Sequence, residues 1–278
     1  MDSDYAQRFL LEGLDIRGRL VCLTGAWQRM LEGRDYPSRI AALLGHTTGL
    51  GVLLGAGQKG ASRVTLQVQG SGPVKLLVAD CTSGLRIRGM ASFDAAAVRT
   101  GERALLGDGR LAITLEDAAS GQLYQSVVPL EGDSLDVIFE HYLAQSEQRS
   151  AFLRLDADER ALYGLLLEKL PGADARDPDG WNRITRLAAT LSLGETVLAQ
   201  PYDLLVKLFP AELLRVFRIL PVEYHCPFDP QSVRRMLLAL GRAELESILA
   251  EQGELRIRNE MCNHEYRFDR AAIDALFH

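Results

Sequence analysis

The sequence predicts an α+β fold, divided into a large N-terminal α+β domain over residues 1–172, a helical linker over 173–221 and a small C-terminal domain over 222–278. Three observations predict it. Val64, Leu66 and Val68 alternate with polar residues, the period of a half-buried strand. Leu135, Ile138, Phe139, Tyr142 and Leu143 fall at helical spacing instead. After Pro171-Gly172 the chain changes to short amphipathic pieces broken by Pro201 and Pro210. A chain of 278 residues is long enough for one large core and one small one.

Taken in order, Val74 to Ala79, Leu85 to Arg88, Leu111 to Leu115 and Leu123 to Leu130 continue the strand pattern. Gly70-Ser71-Gly72-Pro73 supplies a turn between the first two strands of that series. A helix is expected after Asp156, which with Glu159 makes a capping-box-like start; its apolar face is Leu162, Leu165 and Leu166, and Pro171-Gly172 ends it. In the linker, Trp181, Ile184, Leu187, Ala188 and Leu191 form a helical stripe. Leu204, Leu205, Leu208, Phe209, Leu213, Leu214 and Phe217 form a second apolar set. Pieces this short cannot build a core alone and must dock on something. The last domain reads as a helix from Pro230 to Leu240 ended by Gly241, a helix from Ala243 to Gln252 ended by Gly253, a hairpin, and a final helix from Arg270 to Phe277.

Net charge is −6 and dispersed, which argues against a nucleic-acid partner. The longest apolar runs, such as Leu50 to Ala56, are far too short to span a bilayer, and Met1-Asp2-Ser3-Asp4 is acidic where a secretory leader would be basic. The expected location is the cytoplasm, without membrane contact, where thiols are kept reduced. Cys22 and Cys81 sit in strand-like apolar segments and read as small buried hydrophobes. Gly55-Ala56-Gly57-Gln58-Lys59-Gly60 matches the dinucleotide fingerprint, but a strand-like stretch follows where a helix is needed, so it reads as a turn. There is no phosphate-binding loop, no nucleophile elbow and no HExxH, and the chain is not expected to be an enzyme.

Several stretches carry a resemblance that spans nearly the whole chain. They are Tyr36-Pro37 with Leu43-Leu44-Gly45, Leu66-Gln67-Val68-Gln69-Gly70-Ser71-Gly72-Pro73, Arg88-Gly89-Met90-Ala91 and Leu106-Gly107-Asp108-Gly109-Arg110-Leu111. Tyr124-Gln125-Ser126-Val127, Tyr142 and Ser146-Glu147-Gln148 follow in order. With them, the chain resembles the 33 kDa chaperonin family, the redox-regulated holdase chaperones of bacteria. His46 departs from the acidic residue usual after the Leu-Leu-Gly triplet. The C-terminal domain resembles the family's zinc domain with half its ligands. Cys226 fits the first cysteine of the CxC pair and Phe228 stands at the second; Asn259 stands at the first position of the CxxC pair and Cys262 fits the second.

The resemblance implies an ATP-independent holdase that binds unfolded or misfolded client proteins under heat or oxidative stress. It implies a linker that lies on the first domain as a metastable lid, a homodimer when active, and hand-over of clients to ATP-dependent chaperones. The client-binding candidates are the linker residues Trp181, Ile184, Leu187, Leu191, Leu204, Leu205, Leu208, Phe209, Leu213 and Leu214. The redox candidates are Cys226 and Cys262, whose positions in the family touch one metal and so lie close enough to form a disulfide. No cofactor is expected; zinc on Cys226, Cys262 and His264 is the alternative use of those side chains. Loss of two thiolates implies an altered or lost redox switch. Two other readings stay open: a constitutive or heat-triggered holdase in which the cysteines have no redox role, and an interaction module that binds one folded partner.

Overall fold

The computed structural model describes residues 4–58, 62–97, 102–117, 119–146 and 148–277. Lys59 and Gly60 of the glycine-rich stretch, and Glu147 of the Ser-Glu-Gln triplet, lie outside them. The chain divides into two compact units, Met1–His225 and Cys226–His278.

In the first unit the order is β1 (Tyr5–Leu11), β2 (Ile16–Leu23), α1 (Gly25–Leu31), α2 (Ser38–Gly55), β3 (Ser62–Gly70), β4 (Val74–Thr82), β5 (Arg86–Phe93), α3 (Glu102–Leu106), β6 (Gly109–Asp117), β7 (Leu123–Pro129), α4 (Leu135–Ser146), β8 (Ala151–Ala157) and β9 (Leu162–Lys169). Then come α5 (Ala173–Arg176), α6 (Gly180–Ala188), α7 (Leu193–Leu198), α8 (Pro201–Leu208), β10 (Leu214–Val216), β11 (Leu220–Pro221) and β12 (Glu223–Tyr224). Two six-stranded sheets result. One has the order β10-β1-β2-β9-β8, with β11 also on β1; the other has the order β12-β5-β4-β3-β6-β7.

Helix α2 runs between the two sheets and touches β3, β4 and β5 on one side and β2, β8 and β9 on the other. Its residues are buried nearly all round, from Ile40 through Leu43, Leu44 and Leu50 to Leu53. A helix with no solvent face shows no amphipathic period, which is why the sequence does not announce it. Its polar side chains are satisfied internally: the Thr47 and Thr48 hydroxyls donate to the Leu43 and Leu44 carbonyls at 2.9 and 2.8 Å. Gly55, the first residue of the glycine-rich stretch, ends this helix, and the next described element is the strand β3, so the order is helix then strand, the reverse of a dinucleotide site.

One expectation is overturned. The helix expected after Asp156 is a strand, β9, inserted between β2 and β8. Asp156 lies in β8, opposite Tyr163, and Glu159 lies in the β8–β9 turn, where the Asp158 carboxylate accepts from the Arg160 and Ala161 amides at 2.7 and 2.9 Å. Both faces of β9 are buried: Leu162 and Leu166 enter the core around α2, while Tyr163, Leu165 and Leu167 enter a second core. A strand buried on two faces reads as one apolar run, and periodicity cannot separate that from a buried helix. The linker also differs at its end. Residues 173–208 carry the four short helices α5 to α8, but Leu214–Val216 and Leu220–Pro221 are strands that pair with β1.

The second unit contains α9 (Pro230–Leu240), α10 (Arg242–Gln252), the hairpin β13 (Leu255–Asn259) and β14 (His264–Phe268), and α11 (Arg270–Asp274). Asp229 and Asp269 cap α9 and α11 by accepting from the Ser232 and Ala272 amides. Its core is Val233, Leu237, Leu245, Leu249, Leu255, Tyr266, Phe268 and Ile273. By spacing alone Val233, Met236, Leu237 and Leu240 fall on one apolar face of α9, yet Met236 and Leu240 are exposed. Val233 and Leu237, four apart, take the buried line, and residues one position earlier or later in each turn lie about 100° away around the helix.

Candidate functional site

The first sheet presents a second apolar face, opposite α2. Tyr5, Phe9 and Leu11 from β1, Ile16, Leu20 and Cys22 from β2, and Tyr163, Leu165 and Leu167 from β9 all point into it. Period-two alternation puts every other residue of each strand on this side. The linker covers it: Ile184, Ala188, Leu191, Leu204, Leu205, Leu208 and Phe209 are buried against it, with Trp181, Leu187 and Leu214 half-buried at its margin. Of the ten linker residues singled out in the sequence, nine therefore meet at this interface, and Leu213 is exposed.

Specific contacts position the linker. The Phe9 and Phe209 rings lie 6.1 Å apart, centre to centre. The buried Tyr163 hydroxyl donates to the Leu191 carbonyl at 2.8 Å, and the Gln7 amide donates to the Phe217 carbonyl at 2.6 Å. Arg183 bridges Asp177 and Glu212 at 2.9 and 3.0 Å within the linker. These ion pairs are partly exposed and add little. Sequence reasoning missed the receiving face, since β1 and β2 have no periodic apolar run long enough to stand out. It also missed the exposed side of the linker, where Leu198 at the end of α7 and Tyr202 and Val206, four apart on α8, face outward.

Phe9 reaches Phe209 because its cross-strand partner is Gly18. A Cβ on Gly18 would fall inside the Phe9 ring. Gly18→Ala is therefore expected to displace Phe9, destabilise the protein by about 1–3 kcal/mol as an overpacked site does, and speed amide exchange across 180–209. Unchanged exchange there in the alanine variant would remove Phe9 as a seat for the linker.

A charged cluster closes the opposite face of the same sheet. Arg17 and Glu168 are direct cross-strand neighbours on β2 and β9. Arg17 donates to Glu168 through Nε at 2.9 Å and Nη2 at 2.6 Å, and Arg19 donates through Nη2 at 2.8 Å. Arg149 adds an ion pair at 3.8 Å. The Arg19 guanidinium also donates to the Leu53 carbonyl at 3.1 Å and passes over Gly57, where a side chain would collide with it. Burial alone would raise the Glu168 pKa, but the Arg17 hydrogen bond and the three guanidinium charges outweigh it and hold it below the usual carboxylate range. On the second sheet, Asp80 has the same balance: burial opposes ionisation, and hydrogen bonds from Arg63, Thr65 and Arg88 more than compensate.

The four cysteines fall into two kinds. Cys22 and Cys81 are buried, and burial first, with the charges of Asp4 and Asp80 second, pushes each thiol up to about 12. They are unreactive at neutral pH. Cys226 and Cys262 form a disulfide across 36 positions of sequence, with Cα atoms 5.5 Å apart. Around the bridge, Phe228 stacks on Tyr266 with ring centres 4.7 Å apart and planes 10° from parallel, and lies 5.6 Å from the His264 ring. Tyr266 accepts from the Asp229 amide through its hydroxyl at 3.1 Å. The Asn259 side chain accepts from the Met261 and Cys262 amides at 3.0 and 3.3 Å and shapes the turn between β13 and β14.

The four-thiolate zinc site that the resemblance implies does not fit these residues. Two of its sulfurs are joined to one another, the Phe228 ring offers no donor, and the Asn259 oxygen is engaged by the backbone. The alternative set of Cys226, Cys262 and His264 needs both sulfurs as free thiolates, and in this form the bridge uses both.

Comparison with known proteins follows the same outline. The model of a family described as "Hsp33 protein" matches residues 4–269. The chain is 38% identical to the 33 kDa chaperonin of Methylobacillus flagellatus over 277 residues, which is 99% of this chain and 94% of that one. It is 37% identical to the 33 kDa chaperonin of Nitrosococcus oceani, over 99% of this chain and 95% of that one. A crystal structure of the 33 kDa chaperonin from Thermotoga maritima is similar in fold, with a TM-score of 0.81 at 19% identity, covering 99% of this chain and 97% of that one.

Proposed function

The chain belongs to the Hsp33 protein family, and from that premise we propose that it acts as a holdase, an ATP-independent chaperone that binds unfolding proteins and keeps them from aggregating. The observation that carries the reading is the apolar sheet face around Phe9, Leu20, Tyr163 and Leu165, covered by short helices of the same chain. A lid of such short pieces opens at low cost compared with the core. Opening it exposes apolar surface on both the sheet and the linker, enough to hold an unfolded segment without sequence preference.

Residues 173–221 are the lid in this proposal, and warming is its trigger. Dimerisation on opening and hand-over of clients to ATP-dependent chaperones belong to the same proposal, as does action in the cytoplasm. Among the described residues no helix is long and apolar enough to cross a membrane.

The test is aggregation of several unrelated proteins, unfolded by heat, with and without this chain and in the absence of ATP. Suppression of all of them at near-stoichiometric ratio is expected, rising with temperature. Failure across the panel, with tight binding to one folded protein from the source cell, would replace the holdase by a dedicated interaction module.

A further inference from the structure

The small unit keeps two of the four thiolate positions of the family's zinc domain, Cys226 and Cys262, and the residues at the other two, Phe228 and Asn259, make structural contacts. Phe228 lies on Tyr266, Asp229 is held by the Tyr266 hydroxyl, and Asn259 organises the turn that carries Cys262. The segment 226–229 is thus fastened to the β13–β14 hairpin by a disulfide, a ring stack and a hydrogen bond, none of which involves a metal.

We propose that the redox sign of the switch is inverted in this chain: the Cys226–Cys262 bridge holds the small unit folded, and reduction is what loosens it. The inference deepens the holdase reading and rests on it for its activity readout. In a four-thiolate domain, oxidation removes the ligands of the metal that holds the fold. Here the folded unit already contains the oxidised pair. Reducing it releases two thiols beside Phe228, which offers no donor, and Asn259, whose oxygen is held by backbone amides, so the four-thiolate site that would replace the lost restraint is not restored.

The chemistry balances with ordinary reagents. A dithiol attacks one sulfur of the bridge and forms a mixed disulfide. Its second thiol then displaces the protein, which leaves with two thiols while the reagent leaves as a cyclic disulfide. In the other direction, one cysteine thiolate attacks hydrogen peroxide, giving a sulfenic acid and a hydroxide that takes a solvent proton to become water. The second thiol condenses with it, forming the bridge and a second water.

The expected size follows from the closed loop of 36 positions. Opening a loop of that length lowers the folding equilibrium of the unit by a factor of roughly 500 in the chain-entropy model. The effect reaches the lid through chain continuity. The strands β11 and β12, two residues each, end at Pro221 and Tyr224, five and two residues before Cys226, and a disordered neighbour lets such short strands fray.

The test uses the full-length protein and the Cys226→Ser/Cys262→Ser variant, each after dithiothreitol with zinc supplied and after peroxide. Three quantities are read: zinc content, amide exchange in 226–277, and aggregation suppression at resting temperature. Exchange is expected to be slowest in the peroxide-treated wild type. In reduced wild type, and in the double variant under either treatment, it is expected to be faster by two orders of magnitude or more. Suppression is expected to follow exchange. Faster exchange after peroxide than after dithiothreitol would falsify the proposal. So would one tightly held zinc per reduced chain with exchange as slow as in the oxidised form, or identical exchange in all four samples. If the exchange difference stands while no sample suppresses aggregation, the holdase reading fails and the inverted sign remains.

Discussion

The double variant Leu205→Ala/Phe209→Ala is expected to suppress aggregation at resting temperature, where the wild type is largely closed. The sequence shows these residues as an apolar set but leaves two roles open, gripping clients or holding the lid shut. Burial favours the second as an expectation. Both side chains are completely buried on the sheet face, and Phe209 meets Phe9 there. Truncating a buried leucine costs about 2–5 kcal/mol and a buried phenylalanine about 3–5 kcal/mol. The lid bears most of that cost, because the sheet beneath it is shared with the α2 core and stays formed. Exchange of residues 180–209 should accelerate by at least two orders of magnitude, with little change in α2. A control comes from the outer face. Leu198→Ser/Tyr202→Ser removes exposed apolar area and should leave lid exchange unaltered. If the alanine pair lowers suppression at every temperature while exchange stays at the wild-type rate, the buried residues are not a latch.

Glu168→Ala is expected to destabilise the first unit by about 3–5 kcal/mol, the usual cost of leaving buried charge without its partner. Arg19 is the reason: its side chain is 13% exposed and donates to Glu168. Arg17 and Arg149 reach more water and lose less. Glu168→Gln keeps the shape and some hydrogen bonding and should cost less. The pH dependence identifies the mechanism. The Glu168 pKa is depressed in the folded protein relative to the unfolded chain. Its stabilisation is therefore complete above the ordinary glutamate value and is lost as pH falls through the depressed folded value. The stability gap between wild type and Glu168→Gln should be flat at neutral pH and shrink in acid. Asp80 is shifted in the same direction and contributes a parallel loss in the same acid range. Urea titrations at several pH values measure the gap; a gap that widens on acidification would mean the carboxylate is not stabilised by its arginines.

Some of this molecule was legible without coordinates. The alternation in Val64, Leu66 and Val68, the stripes of α4, α6 and α9, and the glycines that end α9 and α10 are local signals, and the elements formed where those signals stand. The ordered motif run from Tyr36-Pro37 to Cys262 identified the family, because such a run is a property of the chain itself. The pairing of Cys226 with Cys262 was one of two uses the resemblance left open for those sulfurs.

What the tertiary structure decided lies where burial comes from two sides or from far along the chain. α2 and β9 are enclosed on both faces, so neither carries a solvent period, and β9 passed for a helix. Met236 and Leu240 belong to a plausible stripe but lost the core to Val233 and Leu237, because the packing partners of α9 fix which line of the helix faces inward. The packing of Phe209 involves Phe9 and its partner Gly18, about two hundred residues earlier in the chain, and no local pattern records that meeting. Phe228 reads in the sequence as a missing ligand. Only the structure shows it stacked on Tyr266, beside the Cys226–Cys262 bridge, in the position of a metal ligand.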